Sequence, residues 1–137
     1  MLVLTLEQLR EAGQQGFPGL VGVDVFEAGE GFVHARLPLR SDHLAPNGYL
    51  HAGSVVALAD TACGYGCVLN LPDTATGFTT IELKTNFLAT TRAGTLTCEA
   101  TRVHGGRTTQ VWDAVVTDET GKKIAVFRCT QLLLRPS

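Results

Sequence analysis

Charge is scarce in this sequence, and none of it is concentrated. Asp, Glu, Lys and Arg make up 18% of the 137 residues, and the formal net charge is -2. The Lys and Arg residues are scattered, which excludes the basic face that a nucleic-acid binder presents. Long hydrophobic runs are missing too. No stretch reads as the ~18 to 20 uninterrupted apolar residues of a membrane span. The opening residues "MLVLTLEQLREAG" lack a basic n-region and carry charge early, so no secretory leader is expected. Metal-ligand spacings are also lacking. Cys63, Cys67, Cys98 and Cys129 have no His or Cys partners at recognised distances along the chain, so no metal is expected. They read as reduced core thiols of a cytoplasmic protein.

What is present fits one domain over residues 1–137. Thr5 to Gly13 reads as a short helix, with Thr5 as N-cap, Gln8 three residues on and Gly13 as its stop. Two strands follow around "AGEG": Val21, Val23 and Val25 alternate before it, and Val33, Ala35 and Leu37 after it. Arg40 to Tyr49 has loop composition. A long apolar helix is expected from His51 to Asn70, closed by "LPDTATG". Four strands complete the chain: Phe78–Leu88, with alternation at Ile81 and Leu83, then Gly94–Val103, Thr108–Thr117 and Lys123–Leu134. Short connections predict antiparallel hairpins among the last three. One helix and about six strands imply an α+β fold, a sheet curled around a central helix. Such a sheet has open edges, and edges invite a second subunit.

Asp60 is out of place on that helix. It is the only charged residue from Ala52 to Leu71, and its helical neighbours are Val56, Ala57, Cys63 and Gly64. A carboxylate in poor solvent has a raised pKa and is a better base than a free one. The helix start supplies the complement. Unpaired N–H groups at "HAG", with the helix dipole, suit a developing negative oxygen, and Asn47 offers an amide N–H nearby. Ala52 and Asp60 are eight residues apart, about 12 Å along a helix axis. One helix cannot place both groups on one carbonyl, but two antiparallel copies can. The spacing therefore predicts a homodimer with composite sites.

The run "NGYLHAGSVVALADTACG" and the later strand "TTIELKTNFL" resemble the hotdog-fold thioesterases of the phenylacetate-degradation type. The helix motif of that family runs roughly Asn-x-x-x-His-Gly-Gly, then Asp after six residues. The resemblance covers about Val21 to Leu134 in element order. It implies a hotdog fold, hydrolysis of an acyl-CoA thioester, no cofactor beyond the coenzyme A of the substrate, and dimers paired into a homotetramer. Carried over residue by residue, it implies that Asp60 is the catalytic carboxylate, as base on water or as nucleophile. It gives Asn47 and the Ala52 N–H to the thioester carbonyl, His51 to holding the helix start, and Gly53 to the second glycine. Thr80, or Thr79 after a one-residue shift, would orient the attacking water from the opposite subunit's side. Ala52 departs from the family's first glycine, at a cost if its φ must be positive.

Arg107, Arg92 and Lys84 are the basic side chains available to coenzyme A phosphates. The second "HGG", His104 to Gly106, reads as a hairpin turn. His34, His43 and Trp112 are expected to carry no chemistry. The competing readings are a non-catalytic acyl-CoA-binding protein and, ranked lower, a hydratase or dehydratase. The acyl group, aryl or short aliphatic, stays open.

Overall fold

Thr5 caps the first helix as its spacing predicts: its hydroxyl accepts from Gln8 N–H, and the Gln8 side chain accepts from Thr5 N–H. In this computed structural model, which describes residues 4–137, α1 spans Leu6–Gly13. Residues 1–3, the first of the segment expected to hold no leader, lie outside the described residues. The Val21–Val25 alternation does not form a strand throughout. Pro18, at the start of a second short helix, favours helical φ, and that helix, α2, takes Phe17–Val21. It stops at Gly22, whose φ of +93° suits glycine. Strand β1 therefore begins only at Asp24 and runs to Gly29; β2 follows at Phe32–Pro38.

The central helix α3 spans Ala52–Leu69, with His51 and Asn70 as its caps. It is long and apolar enough to cross a membrane by length and composition alone, although Asp60 interrupts its apolar run. Here it is half buried against the sheet. The remaining strands are β3 (Gly77–Phe87), β4 (Thr95–Gly105), β5 (Thr109–Thr117) and β6 (Lys123–Leu134). All pairs are antiparallel, in the order β1-β2-β4-β5-β6-β3. The last three strands form the expected hairpins, and "HGG" closes one of them.

Alternation in β3 is broken. A bulge falls between Thr80 and Glu82, so Ile81 is an extra residue, 57% exposed, out of phase with Leu83. Thr80 pairs with inward Gln131, and beyond the bulge Leu83 pairs with inward Cys129. β3 also stands at the sheet's edge, and its inward Leu83 and Phe87 stay 42% and 47% exposed.

Small residues let the helix lie close on the sheet. A Cβ added at Gly66 would stand 2.5 Å from Trp112 Cη2, and Trp112 is fully buried. Gly66→Ala is expected to lower unfolding free energy by about 1–3 kcal/mol through overpacking, with a matching change in Trp112 fluorescence; unchanged denaturant midpoints would contradict this packing. At the helix's end, Asn70 Nδ2 donates to Gly66 O, and Asn70 Oδ1 accepts from Gly31 N. Gln110 Nε2 donates to Asn70 O. All four cysteines are buried and unpaired, as read from the sequence.

Candidate active site

The loop before α3 is a tight turn that aims two groups. Ala45 N donates to Tyr49 O at 2.7 Å and Gly48 N to Ala45 O at 2.8 Å, with Gly48 at φ +86°. Asn47 Oδ1 accepts from Tyr49 N at 3.1 Å, which leaves the exposed amide NH₂ of Asn47 as the outward donor. His51 Nδ1 accepts from Gly53 N at 2.8 Å. The histidine thus consumes one of the orphan N–H groups of the helix start. The Ala52 N–H has no acceptor among the described residues. Ala52 is not among the residues with positive φ, so the methyl costs no backbone strain there. Gly53 leaves room for the cap: an added Cβ would stand 3.0 Å from His51 Nδ1. His51→Ala is expected to cost about 1 kcal/mol of stability, the usual worth of an N-cap, and His51→Ser to restore most of it; equal denaturant midpoints for the two variants would speak against this.

Asp60 lies two turns further on. Burial raises its pKa, and the Thr80 side chain draws it partly back down. Its Oδ1 is buried with no hydrogen-bond partner among the described residues. The β3 bulge sets which threonine faces it: Thr80 points inward and Thr79 is exposed. The thiols around Asp60 are neutral. Cys63 is pushed well above its usual value, chiefly by its hydrogen bond with Cys129 and then by burial. Cys98, also buried, is pushed up to about 12. The site therefore offers a desolvated carboxylate as its one base.

The other expected residues do not all converge. Arg107 sits at the tip of the β4–β5 hairpin, next to the Gln110–Asn70 bond, so this chain's Arg107 lies at the far end of α3 from Ala52. Arg92 stacks over Tyr49 at 4.1 Å, two residues from Asn47. Lys84 pairs with Arg128 across the ladder. His34 lies beside Glu27 on the sheet's outer strands.

His43 is more than a loop residue. It is buried; its Nδ1 accepts from Arg40 N and its Nε2 reaches Val21 O at 2.6 Å. Arg40 also donates to Leu20 O and Val21 O. The pair clamps the end of α2 to the loop that precedes α3. Between them lies a cavity of about 400 Å³, lined on one side by Phe17 and Leu20 and on the other by His51, Gly53 and Ala57. Sequence reasoning also missed Gln131 and Gln110. The available signal was phase: each is a polar residue at an inward position of an alternating strand. Among the described residues, no group of three or more His, Cys, Asp or Glu could hold a metal.

Comparison with known proteins decides the family. The model of the thioesterase superfamily matches residues 47–125, which take in the loop, α3 and β3 through β5. The chain belongs to the thioesterase superfamily. Its fold is the hotdog fold, and it is a thioester hydrolase. A 1,4-dihydroxy-2-naphthoyl-CoA hydrolase from Listeria monocytogenes is 33% identical to this thioesterase over 115 residues, covering 84% of this chain and 93% of that one. The acyl-coenzyme A thioesterase PaaI of Escherichia coli is 30% identical over 109 residues, covering 79% and 75%. A thioesterase crystal structure from Haemophilus influenzae superposes with a TM-score of 0.89 at 28% identity, covering 98% of this chain and 93% of that one.

Proposed function

We propose that two copies of this thioesterase hydrolyse an acyl-CoA thioester between them, to free acid and coenzyme A. The observation that carries the reading is the half-buried Asp60 carboxylate, its Oδ1 without a partner and its charge set against Thr80, on a helix with no other charged residue. The thioester oxygen rests on the Ala52 N–H and the Asn47 amide of one copy. Asp60 of the other copy takes a proton from water as the water oxygen bonds to the carbonyl carbon, or bonds to that carbon itself. Negative charge builds on the oxygen where the helix N-terminus meets it. The C–S bond then breaks, and on the base route the departing thiolate takes up the proton that Asp60 accepted; on the nucleophile route water then cleaves the acyl–Asp60 anhydride, which frees the acid, restores the carboxylate and supplies the thiolate's proton.

Two facts support sharing the site. The Ala52 N–H and Asp60 stand about 12 Å apart along one axis. The edge strand β3 leaves apolar Leu83 and Phe87 uncovered on its inward face, a surface that a second copy would bury. Dimers of dimers in the cytoplasm complete the proposal. Arg107 then acts at the far end of α3, where the start of the neighbouring helix lies in an antiparallel pair.

The test is subunit mixing. Asp60→Asn and Ala52→Pro copies, each inactive alone, are mixed in equal amounts. Random exchange should restore roughly a quarter of wild-type sites, because half the dimers are mixed and each holds one intact site. Thiol release is followed over a panel of aryl and straight-chain acyl-CoAs. No recovery after confirmed exchange would overturn the shared site, and binding without thiol release by the wild type would overturn the activity.

A further inference from the structure

Gln131 occupies a position where the strand pattern calls for an apolar residue. Along β6 the other inward residues are Ala125, Phe127, Cys129 and Leu133, all buried. Gln131 is fully buried, and neither its amide oxygen nor its amide nitrogen has a partner among the described residues. Its neighbour across the β5–β6 ladder, Gln110, is equally buried but uses both atoms. Gln110 Oε1 accepts from Trp112 Nε1 at 2.8 Å, and Nε2 donates to Asn70 O at 2.9 Å. An unpaired buried amide bears its whole desolvation cost, and an apolar side chain of similar shape removes that cost. Packing alone gives Gln131 no reason to be polar.

Its neighbour on the other side gives one. Gln131 stands directly opposite Thr80 in the β3–β6 ladder, and directly opposite side chains share a face with Cβ atoms ~4.5–5.5 Å apart. Thr80 faces Asp60, whose Oδ1 also lacks a partner. A hydroxyl that accepts from an amide N–H keeps its own proton to donate. The ladder thus places the Gln131 amide beside the Thr80 hydroxyl, and the Thr80 hydroxyl beside the Asp60 carboxylate, in the order donor, relay and acceptor, with the amide unbonded in this structure. The bulge at Ile81 follows Thr80 and breaks the alternation there.

We propose that Gln131 is a positioning residue for hydrolysis: its amide N–H, unpaired in this structure, donates to the Thr80 hydroxyl when substrate is bound, so that the hydroxyl proton points at Asp60. This rests on the reading of Asp60 as the site's base. The other groups near Asp60 do not compete for the role. Cys63, Cys129 and Cys98 are buried thiols, the first and last held neutral. Glu82 and Lys84 of β3 pair with Thr130 and Arg128 at outward positions. Arg40, Asp42, His43 and His51 gather at the cavity beside the helix start.

The test compares Gln131→Met with wild type, in the normal background and with Thr80→Val. The expected result is a kcat loss of roughly 10-fold, the rate equivalent of one ordinary hydrogen bond. KM should change little, the acid limb of kcat/KM should move to higher pH, and Tm should be unchanged or higher. With Thr80→Val present, Gln131→Met should cost nothing further. An unchanged acid limb, or an equal loss in both backgrounds, would overturn the proposal while Asp60→Asn stays inactive. Near-normal turnover by Asp60→Asn would overturn the reading of the base, and this proposal with it. Gln131→Leu serves as a second apolar variant; failure of both to fold would make the amide structural and overturn the proposal too.

Discussion

Asp60→Asn is expected to lower kcat by at least ~10²-fold, the low end of what a lost general base removes, without unfolding the protein. The amide keeps the shape of the side chain and takes away its proton affinity. Stability should move the other way. Burial raises the Asp60 pKa above the ordinary carboxylate value, so the folded chain binds that proton more tightly than the unfolded chain. Stability from this group is therefore greatest at low pH and falls as pH rises through the unfolded and then the folded pKa. Near neutral pH the ionised carboxylate is a cost that asparagine lacks. Thermal unfolding at pH 7 should show the variant at least as stable as wild type, and the gap should close in acid. A variant that is both active and less stable at pH 7 would contradict the catalytic and the energetic claims together.

Ala52→Pro should be nearly as damaging to turnover, for a different reason. Ala52 is the first residue of α3, where proline is well tolerated because the missing N–H has no helical partner anyway. Proline also restricts the residue before it to extended conformations. His51 already has φ -72° and ψ 136°. The substitution therefore deletes one hydrogen-bond donor with little other disturbance. Loss of one oxyanion donor costs about 10²–10³ in kcat. Circular dichroism and Tm should be close to wild type, and Ala52→Gly, which keeps the N–H, should stay active. Full activity in the proline variant would remove the Ala52 N–H from the mechanism.

The sequence exposed Asp60 because contrast is a local signal: one charge among valines and alanines is visible without coordinates. Helix α3 was legible from composition, and the hairpins from their short turns. The Val21–Val25 segment misled because three alternating valines mimic a strand, whereas Pro18 and Gly22 impose a helical turn and its stop. The β3 bulge was hidden, since period-two reasoning assumes that no residue is added. That one residue decides that Thr80, not Thr79, faces inward. The cavity beside α2 and the His43 clamp depend on tertiary contacts between segments about 20 residues apart, which no local pattern encodes. Gln131 and Gln110 look alike in sequence; only the structure shows that one is satisfied and the other is not.

Asn70 ties the far end of α3 to the β1–β2 turn and to β5. The near end hangs on loop segments, through Ser54 to His43 O and Leu50 to Thr91 O. The rod is thus moored to the sheet at one end and to loops at the other. On the proposed site, natural drift or a laboratory library confined to Ala45–Leu50 would retune which thioesters are accepted while the sheet and the far half of the helix stay put. Evolvability in this protein would then be concentrated at the end of the helix proposed to meet the substrate.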